Sequence, residues 1–313
     1  MKKLLLEMLV CPACLPDEIA LKAAITEQQQ EDIAEGVLTC PKCGGAYPIR
    51  EGIAFLDPSP QTEANAASNK YETAPVVSSY LWSHYGDILG DPEASSAYAE
   101  WAGLVSGGPG VVLDIGAAVG RFTFEMSSTH DFAVGIDNSV AFIRAARELM
   151  IHGRIPVALR QEGLLTREET VVLPEAWKAD KVEFIVADAL ALPFRSKSFS
   201  VLASLNIADK VPLPLKHLQE VNRTARDKEV QFVLSDPFSW STEAAREEDW
   251  LGGTETGPYA GRGIDNIIFL LEGKDRMLLP AWRIVRQGHV WWKIRTHANH
   301  FELIRSCFVK AER

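Results

Sequence analysis

Several absences narrow this sequence before any motif is considered. None of its apolar runs approaches the roughly 18 residues that a membrane-spanning helix requires. The opening MKKLLLEMLVC has two lysines and a cysteine, as an exported lipoprotein would. However, Glu7 cuts the run after Leu4–Leu6, far short of the about 7–15 apolar residues of a secretory core. Bulky Leu9 and Val10 also stand before Cys11, where processing wants small residues. A cytoplasmic protein is therefore expected. Positive charge is in deficit, with 32 Lys and Arg against 42 Asp and Glu and a net charge of -10. That balance disfavours bulk binding to nucleic-acid backbones or anionic membranes. Internal repeats are missing, and so is the G-x-G-x-x-G fingerprint of a dinucleotide site.

The 313 residues, 47% of them hydrophobic, are enough for one domain of ordinary size and a smaller one. Cysteine is scarce, but four of the five form two pairs, Cys11-Pro-Ala-Cys14 and Cys40-Pro-Lys-Cys43, with 25 residues between them. Two C-x-x-C knuckles can place four thiolates tetrahedrally around one structural zinc ion, leaving no open position for catalysis. Redox C-x-x-C motifs usually stand alone, and disulfides belong to oxidising compartments. Cys307 is left over and reads as an apolar thiol on a late strand. Between the pairs, the polar run from Glu27 to Asp32 predicts a solvated helix, and LLEMLV a strand or turn that leads into the first knuckle.

From Gly110 onward, apolar runs alternate with helical periodicity. VVLDIG (111–116), FAVGID (132–137), VEFIVAD (182–188), FSVLASLN (199–206) and EVQFVLSD (229–236) predict strands. VGRFTFEMSS and SVAFIRAARELM predict helices, the second capped by Ser139. This alternation implies an α/β fold with a doubly wound, mostly parallel sheet, whose ligand lies at the carboxyl ends of the strands. Asp114, Asp137 and Asp188 fall at three successive strand ends. An N-cap or a loop charge explains any one of them but not their shared register. Gly116 and Gly120 allow a ligand to approach the backbone closely. Asp137, about 20 residues after the first strand, is placed to take both hydroxyls of a ribose.

Two family resemblances follow from these residues. LLEMLVCPAC with LTCPKCGGAYPIREGIAFLDP, over roughly residues 4–58, resembles the Trm112-like zinc-ribbon proteins, which act as partners or activators of methyltransferases. LDIGAAVG and ADALALPFRSKSFSVL resemble motifs of class I S-adenosylmethionine-dependent methyltransferases, which implies a Rossmann-like sheet. By position, Asp114, Gly116, Ala118 and Gly120 would line the methionine end of the cofactor. Asp137 would hold the ribose, and Asn138, Asp188 and Ala189 would meet the adenine. Asn206 would present its backbone to the methionine group. Ala118 stands where many members have a third glycine. The implied organisation is a zinc-binding domain over 1–58, a linker and helical lid over 59–105, and a methyltransferase domain over 106–313.

A looser similarity, through NIADKV, SDPFSW, DWLGG and WWKIRTHANHFEL, is to the methyltransferase part of ovothiol-forming enzymes. It implies a small-molecule acceptor, a ring nitrogen or thiol of a histidine-derived metabolite. Asp209, His297 and His300 are the candidate catalytic residues, with Tyr80, Tyr85, Trp240 and Trp250 as walls. The alternatives are an RNA or protein methyltransferase and a non-catalytic module that senses the cofactor or binds a partner. No N-P-P-Y-type motif follows the fourth strand, which argues against base or glutamine methylation.

Overall fold

The computed structural model describes residues 1–58 and 70–313. The start of the expected linker and lid segment, residues 59–69, therefore lies outside the described residues. Of two expectations for the first fifty residues, one is refined and one needs correction. LLEMLV contributes a short 3-10 helix, Lys3–Glu7, that turns Leu5 into the core, with Leu9 and Val10 buried after it. The polar run forms a hairpin and not a helix: β1 (Lys22–Gln29) pairs antiparallel with β2 (Asp32–Thr39) around Gln30 and Glu31. Ile33 and Leu38 of β2 face the core, while every residue of β1 stays exposed at the sheet edge. The solvated character was legible, but the hydrogen-bonding partner was not. Gly36 permits the pairing, since a Cβ there would lie 2.8 Å from the Ala24 carbonyl oxygen.

β3 (Ala46–Arg50) continues this sheet antiparallel, and β4 (Ile53–Leu56) closes it. β4 then runs parallel to β9 (Val182–Ala187), pairing Phe55 with Val186 and Leu56 with Ala187. The cysteine-bearing sheet thus becomes continuous with the main one. The remaining predicted strands appear within two residues of their expected bounds: β5 (Val111–Ile115), β6 (Phe132–Asp137), β10 (Val201–Leu205) and β11 (Gln231–Asp236). They are almost entirely buried, as parallel strands covered on both faces must be. A long hairpin, β12 (Arg283–His297) and β13 (His300–Glu312), finishes the sheet, β13 lying antiparallel to β11. The full order is β1-β2-β3-β4-β9-β6-β5-β10-β11-β13-β12. Strand order reverses between β5 and β10, the position at which open α/β sheets bind ligands.

Helices cover the sheet. α1 (Ala74–Tyr85) lies in the segment expected to be helical and packs Leu81, Trp82 and Tyr85 inward. α2 (Ala97–Ala102) and α3 (Arg121–Met126) are short. α4 (Val140–His152) carries the predicted cap, with Ser139 Oγ accepting the Phe142 N–H at 3.2 Å. α5 (Pro214–Thr224) and α6 (Gly263–Leu271) follow. A separate hairpin, β7 (Arg154–Glu162) and β8 (Leu165–Val172), was not foreseen. Alternating Ile155, Val157 and Leu159, all buried, were its signal. Among the described residues, no helix is long and apolar enough to cross a membrane.

Between the two sheet regions, Glu183 is fully buried and pairs with Arg147 of α4. It also accepts the Lys2 N–H at 2.5 Å, and the Met1 ammonium lies 4.0 Å away. The Met1 ammonium in turn donates to the Ile33 carbonyl at 2.7 Å. A single buried carboxylate therefore links α4, β9 and the first residues of the chain.

Candidate active site and metal centre

After β5 the chain turns through Gly116, Ala118 and Gly120 with φ of 76°, 45° and 84°. These left-handed values open a loop across the strand ends. A Cβ on Gly116 would sit 2.3 Å from Ile207 Cγ2, so any other residue would force Ile207 to shift. Ala118 holds the same kind of conformation without a glycine's freedom. Asp137, ending β6, braces this loop: its Oδ2 accepts the Ala118 N–H at 3.0 Å and its Oδ1 the Ser139 N–H at 2.9 Å. A carboxylate has about four acceptor positions, so both oxygens can still accept from a ligand. Burial pushes the Asp137 carboxyl up to about 6.

Asp188 Oδ1 accepts the Leu190 N–H at 2.8 Å, and burial raises this carboxyl as well. Asn206, after β10, has φ 59°, a value asparagine tolerates better than most residues. Its N–H donates to the Ser235 carbonyl at 2.7 Å, and its Oδ1 accepts from Ser306 Oγ at 2.6 Å.

These strand ends border a cavity of about 800 Å³, within the range of small-molecule sites. Gly116, Ala118, Asp137, Asn138, Asp188, Ala189 and Asn206 all line it. Asp114 and Gly120, from the same predicted set, do not. Asp114 is buried behind the loop, where it accepts from Thr123 Oγ1 at 2.7 Å, and burial pushes it up to about 7. Gly120 packs against Phe184 at the start of α3. Both support the loop from behind.

The four cysteines converge at the other end of the sheet. Their sulfurs lie within 4.8 Å of one another, with Cys11–Cys43 and Cys14–Cys40 each at 3.7 Å. A tetrahedron with Zn–S near 2.3 Å has S···S edges of about 3.8 Å, so the donor set fits one zinc ion. Each of these short edges joins one knuckle to the other, as a single shared metal requires.

Residues 113–228 match the methyltransferase domain family, and residues 2–52 match the Trm112p-like proteins. The chain joins a Trm112p-like domain to a methyltransferase domain. Among solved structures, the methyltransferase is similar to YcgJ of Bacillus subtilis, at 14% identity and TM-score 0.44, covering 70% of this chain and 98% of that one. An S-adenosylmethionine-dependent methyltransferase of Methanosarcina mazei shares 19% identity at TM-score 0.41, covering 65% and 92%. A structure of the Haloferax volcanii Trm112 methyltransferase activator in complex aligns at 14% identity and TM-score 0.42, covering 75% and 96%. Comparison with curated proteins finds no match.

The candidate catalytic residues of the methyltransferase are not gathered at this cavity. His297 and His300 face each other across the β12–β13 tip, with ring centroids 5.6 Å apart, and neither lines it. Asp209 is 1% exposed and lies behind the wall. Its Oδ2 accepts the Ser239 N–H at 2.6 Å, and the Lys210 ammonium is 3.1 Å from its Oδ1. Ser239 and Lys210 are the residues that reach the cavity. Burial, with Asp209 beside it, pushes the carboxyl of the neighbouring Asp236 well up.

Of the expected wall residues, Tyr80 lines the cavity. Tyr85 is buried with its hydroxyl on the Val119 carbonyl at 2.8 Å, and Trp240 stacks on Trp250 away from the opening. The wall is made instead by Tyr98, Trp292, Thr296 and Glu302. Alternating Trp292, Ile294 and Thr296 on β12 carried that signal in the sequence, but not the surface they would face.

Proposed function

We propose that this methyltransferase moves a methyl group from S-adenosylmethionine to a small zwitterionic molecule held in the large cavity. The observation that carries the reading is the meeting of seven predicted cofactor residues in one cavity that continues beneath α1 and the β12–β13 hairpin. In this reading Gly116, Ala118 and Asn206 offer backbone to the methionine end, and Asp137 takes the ribose hydroxyls. Asn138, Asp188 and Ala189 frame the adenine. The cofactor supplies an electrophilic methyl on a sulfonium.

The remaining wall addresses the acceptor. Tyr80, Tyr98 and Trp292 give aromatic surface, and Lys210 and Glu302 put opposite charges into one chamber. That pairing suits an amino acid-like molecule, such as a histidine-derived metabolite methylated at a ring nitrogen or thiol. Positioning of the nucleophile in line with the methyl supplies much of the rate. A neutral ring nitrogen or a thiolate arrives with its lone pair free and needs no general base. Asp209 acts in this scheme as a positioning residue, fixing Ser239 and Lys210 from behind. No proton transfer is assigned to His297 or His300. The Trm112p-like domain, residues 1–58 in this proposal, completes the sheet beside β9 and steadies the adenine end.

The test is calorimetric titration of the full chain with S-adenosylmethionine and S-adenosylhomocysteine. It is followed by assay of S-adenosylhomocysteine release with separated small-molecule, RNA and protein fractions of a cell extract. Micromolar binding and turnover on the small-molecule fraction are expected. Turnover confined to RNA or protein would overturn the acceptor class. Binding without turnover on any fraction would make the protein a sensor.

A further inference from the structure

Beside the large cavity lies a second one of about 360 Å³. Its walls are the first turn of α1, the end of β7 and the turn at Gly163 and Leu164, with Arg295 reaching in from β12. The two cavities share Ser79 and Thr296 in their walls, so they are immediate neighbours.

Arg295 is 6% exposed. Among the described residues its guanidinium has no hydrogen bond or ion pair. The nearest acidic influence, Asp91, is already engaged: it accepts from Trp82 Nε1 at 2.8 Å and lies 3.9 Å from Arg167. A guanidinium stays protonated, so seating it in a cavity wall with no protein partner costs stability that the fold must offset elsewhere. Such a charge is retained where a ligand supplies the missing partner. Two further features bias the same cavity toward an anion. The N-terminal turn of α1, Ala74 and Pro75, puts the positive end of a helix dipole in the wall. Arg160 stands at the mouth, its Nε held by the Gly163 carbonyl at 2.7 Å, which leaves its terminal nitrogens for a ligand.

We propose that this second cavity is a carboxylate subsite for the methyl acceptor, with Arg295 as the bidentate anchor and Arg160 as the outer contact. The proposal rests on reading the large cavity as the methyl-transfer site. A single buried guanidinium matches the one charge and the planar two-oxygen edge of a carboxylate. A phosphate dianion would need a second cation beside Arg295, and Arg160 stands at the exposed mouth instead. Arg295 is then a specificity residue, which selects acceptors that carry an acid group at a set reach from the nucleophile.

The experiment uses the full chain loaded with S-adenosylhomocysteine and two probes of equal shape, 4-bromobenzoate and neutral 4-bromobenzamide, titrated by calorimetry. The acid should bind at least tenfold more tightly than the amide. Anomalous scattering from bromine in soaked crystals should place the acid in the second cavity. Arg295→Gln should abolish the preference and Arg295→Lys should keep part of it, both with unchanged affinity for S-adenosylhomocysteine. The melting temperature of Arg295→Gln should equal or exceed that of wild type, whereas a structural arginine would lower it.

Equal binding of acid and amide would overturn the proposal, as would no binding of either or a preference that survives in Arg295→Gln. Displacement of the acid by selenate at equal concentration would overturn it in favour of a phosphate site. If wild type fails to bind S-adenosylhomocysteine yet still prefers the acid, the cofactor reading falls and the anion subsite stands.

Discussion

Asp137 holds the N–H of Ala118 on its Oδ2 at 3.0 Å, so the residue proposed to bind a ribose also shapes the loop beside it. One carboxylate thus joins the ends of β5 and β6 before any ligand arrives. Its removal has two consequences: lost contacts to the ligand and a loosened loop. Asp137→Ala is expected to weaken S-adenosylhomocysteine binding by about 1–3 kcal/mol, roughly tenfold to a hundredfold in Kd. Calorimetry on the folded variant measures it, and an unchanged isotherm would remove Asp137 from the site.

The same carboxyl sets a pH dependence. Burial raises it to about 6, so in the free protein it keeps its proton at mildly acid pH. Hydroxyl donors from a ribose favour the ionised form, and binding must expel that proton. Affinity should therefore fall as pH drops below about 6, by up to about tenfold per unit, and level off above neutrality. Asp188 is shifted in the same direction and adds to the slope. Titrations near pH 5.5 in buffers of different ionisation enthalpy should show proton release, and Asp137→Asn should flatten the profile.

Ala118 occupies a φ of 45° that a Cβ disfavours. Ala118→Gly removes that strain at the expense of a more flexible unfolded chain, and should raise stability by up to about 1 kcal/mol. Thermal melts decide this. A fall in melting temperature would mean that the methyl packs usefully against its neighbours.

Loss of zinc should be felt across the sheet, because β4 is bonded both to β3 and to β9. Cys40→Ser, or prolonged chelation of wild type, should lower the melting temperature by on the order of 10 °C. Cofactor binding should weaken secondarily, through the displaced end of β9. Metal analysis on the same samples ties the shift to the ion. A metal-free wild-type protein with an unaltered melting curve would refute the site.

Glu183 offers a sharper test of how the two sheet regions are coupled. Glu183→Gln strands Arg147, which is 6% exposed, without its counter-charge. Leaving a buried partner unpaired costs about 3–5 kcal/mol. Denaturant unfolding should show that loss in a single shared transition. Two separated transitions would mean that the Trm112p-like and methyltransferase domains unfold independently.

The features legible in the sequence were those that depend on short spacing. Cysteine pairs with two residues between them announce a metal site because the turn itself brings the sulfurs together. Asp137 and Asp188 announced strand ends because each closes an apolar run, whereas Asp114 proved to lie within β5, one residue before its end; Ser139 announced a helix because a cap acts within three residues. Where a polar run such as Glu27–Asp32 carried no periodicity, partner and register decided between helix and hairpin, and Gly36 and the edge of β2 supplied the answer. Only the tertiary structure decided that β4 would pair with β9 and merge two sheets. It also decided that Asp209 would stand behind the cavity, that His297 and His300 would be carried to a hairpin tip, and that Arg295 would be left buried without a partner. Each of these depends on which distant surface a side chain meets. Alternation along one strand determines which residues share a face, but the cavity or core opposite that face is set by elements a hundred or more residues away.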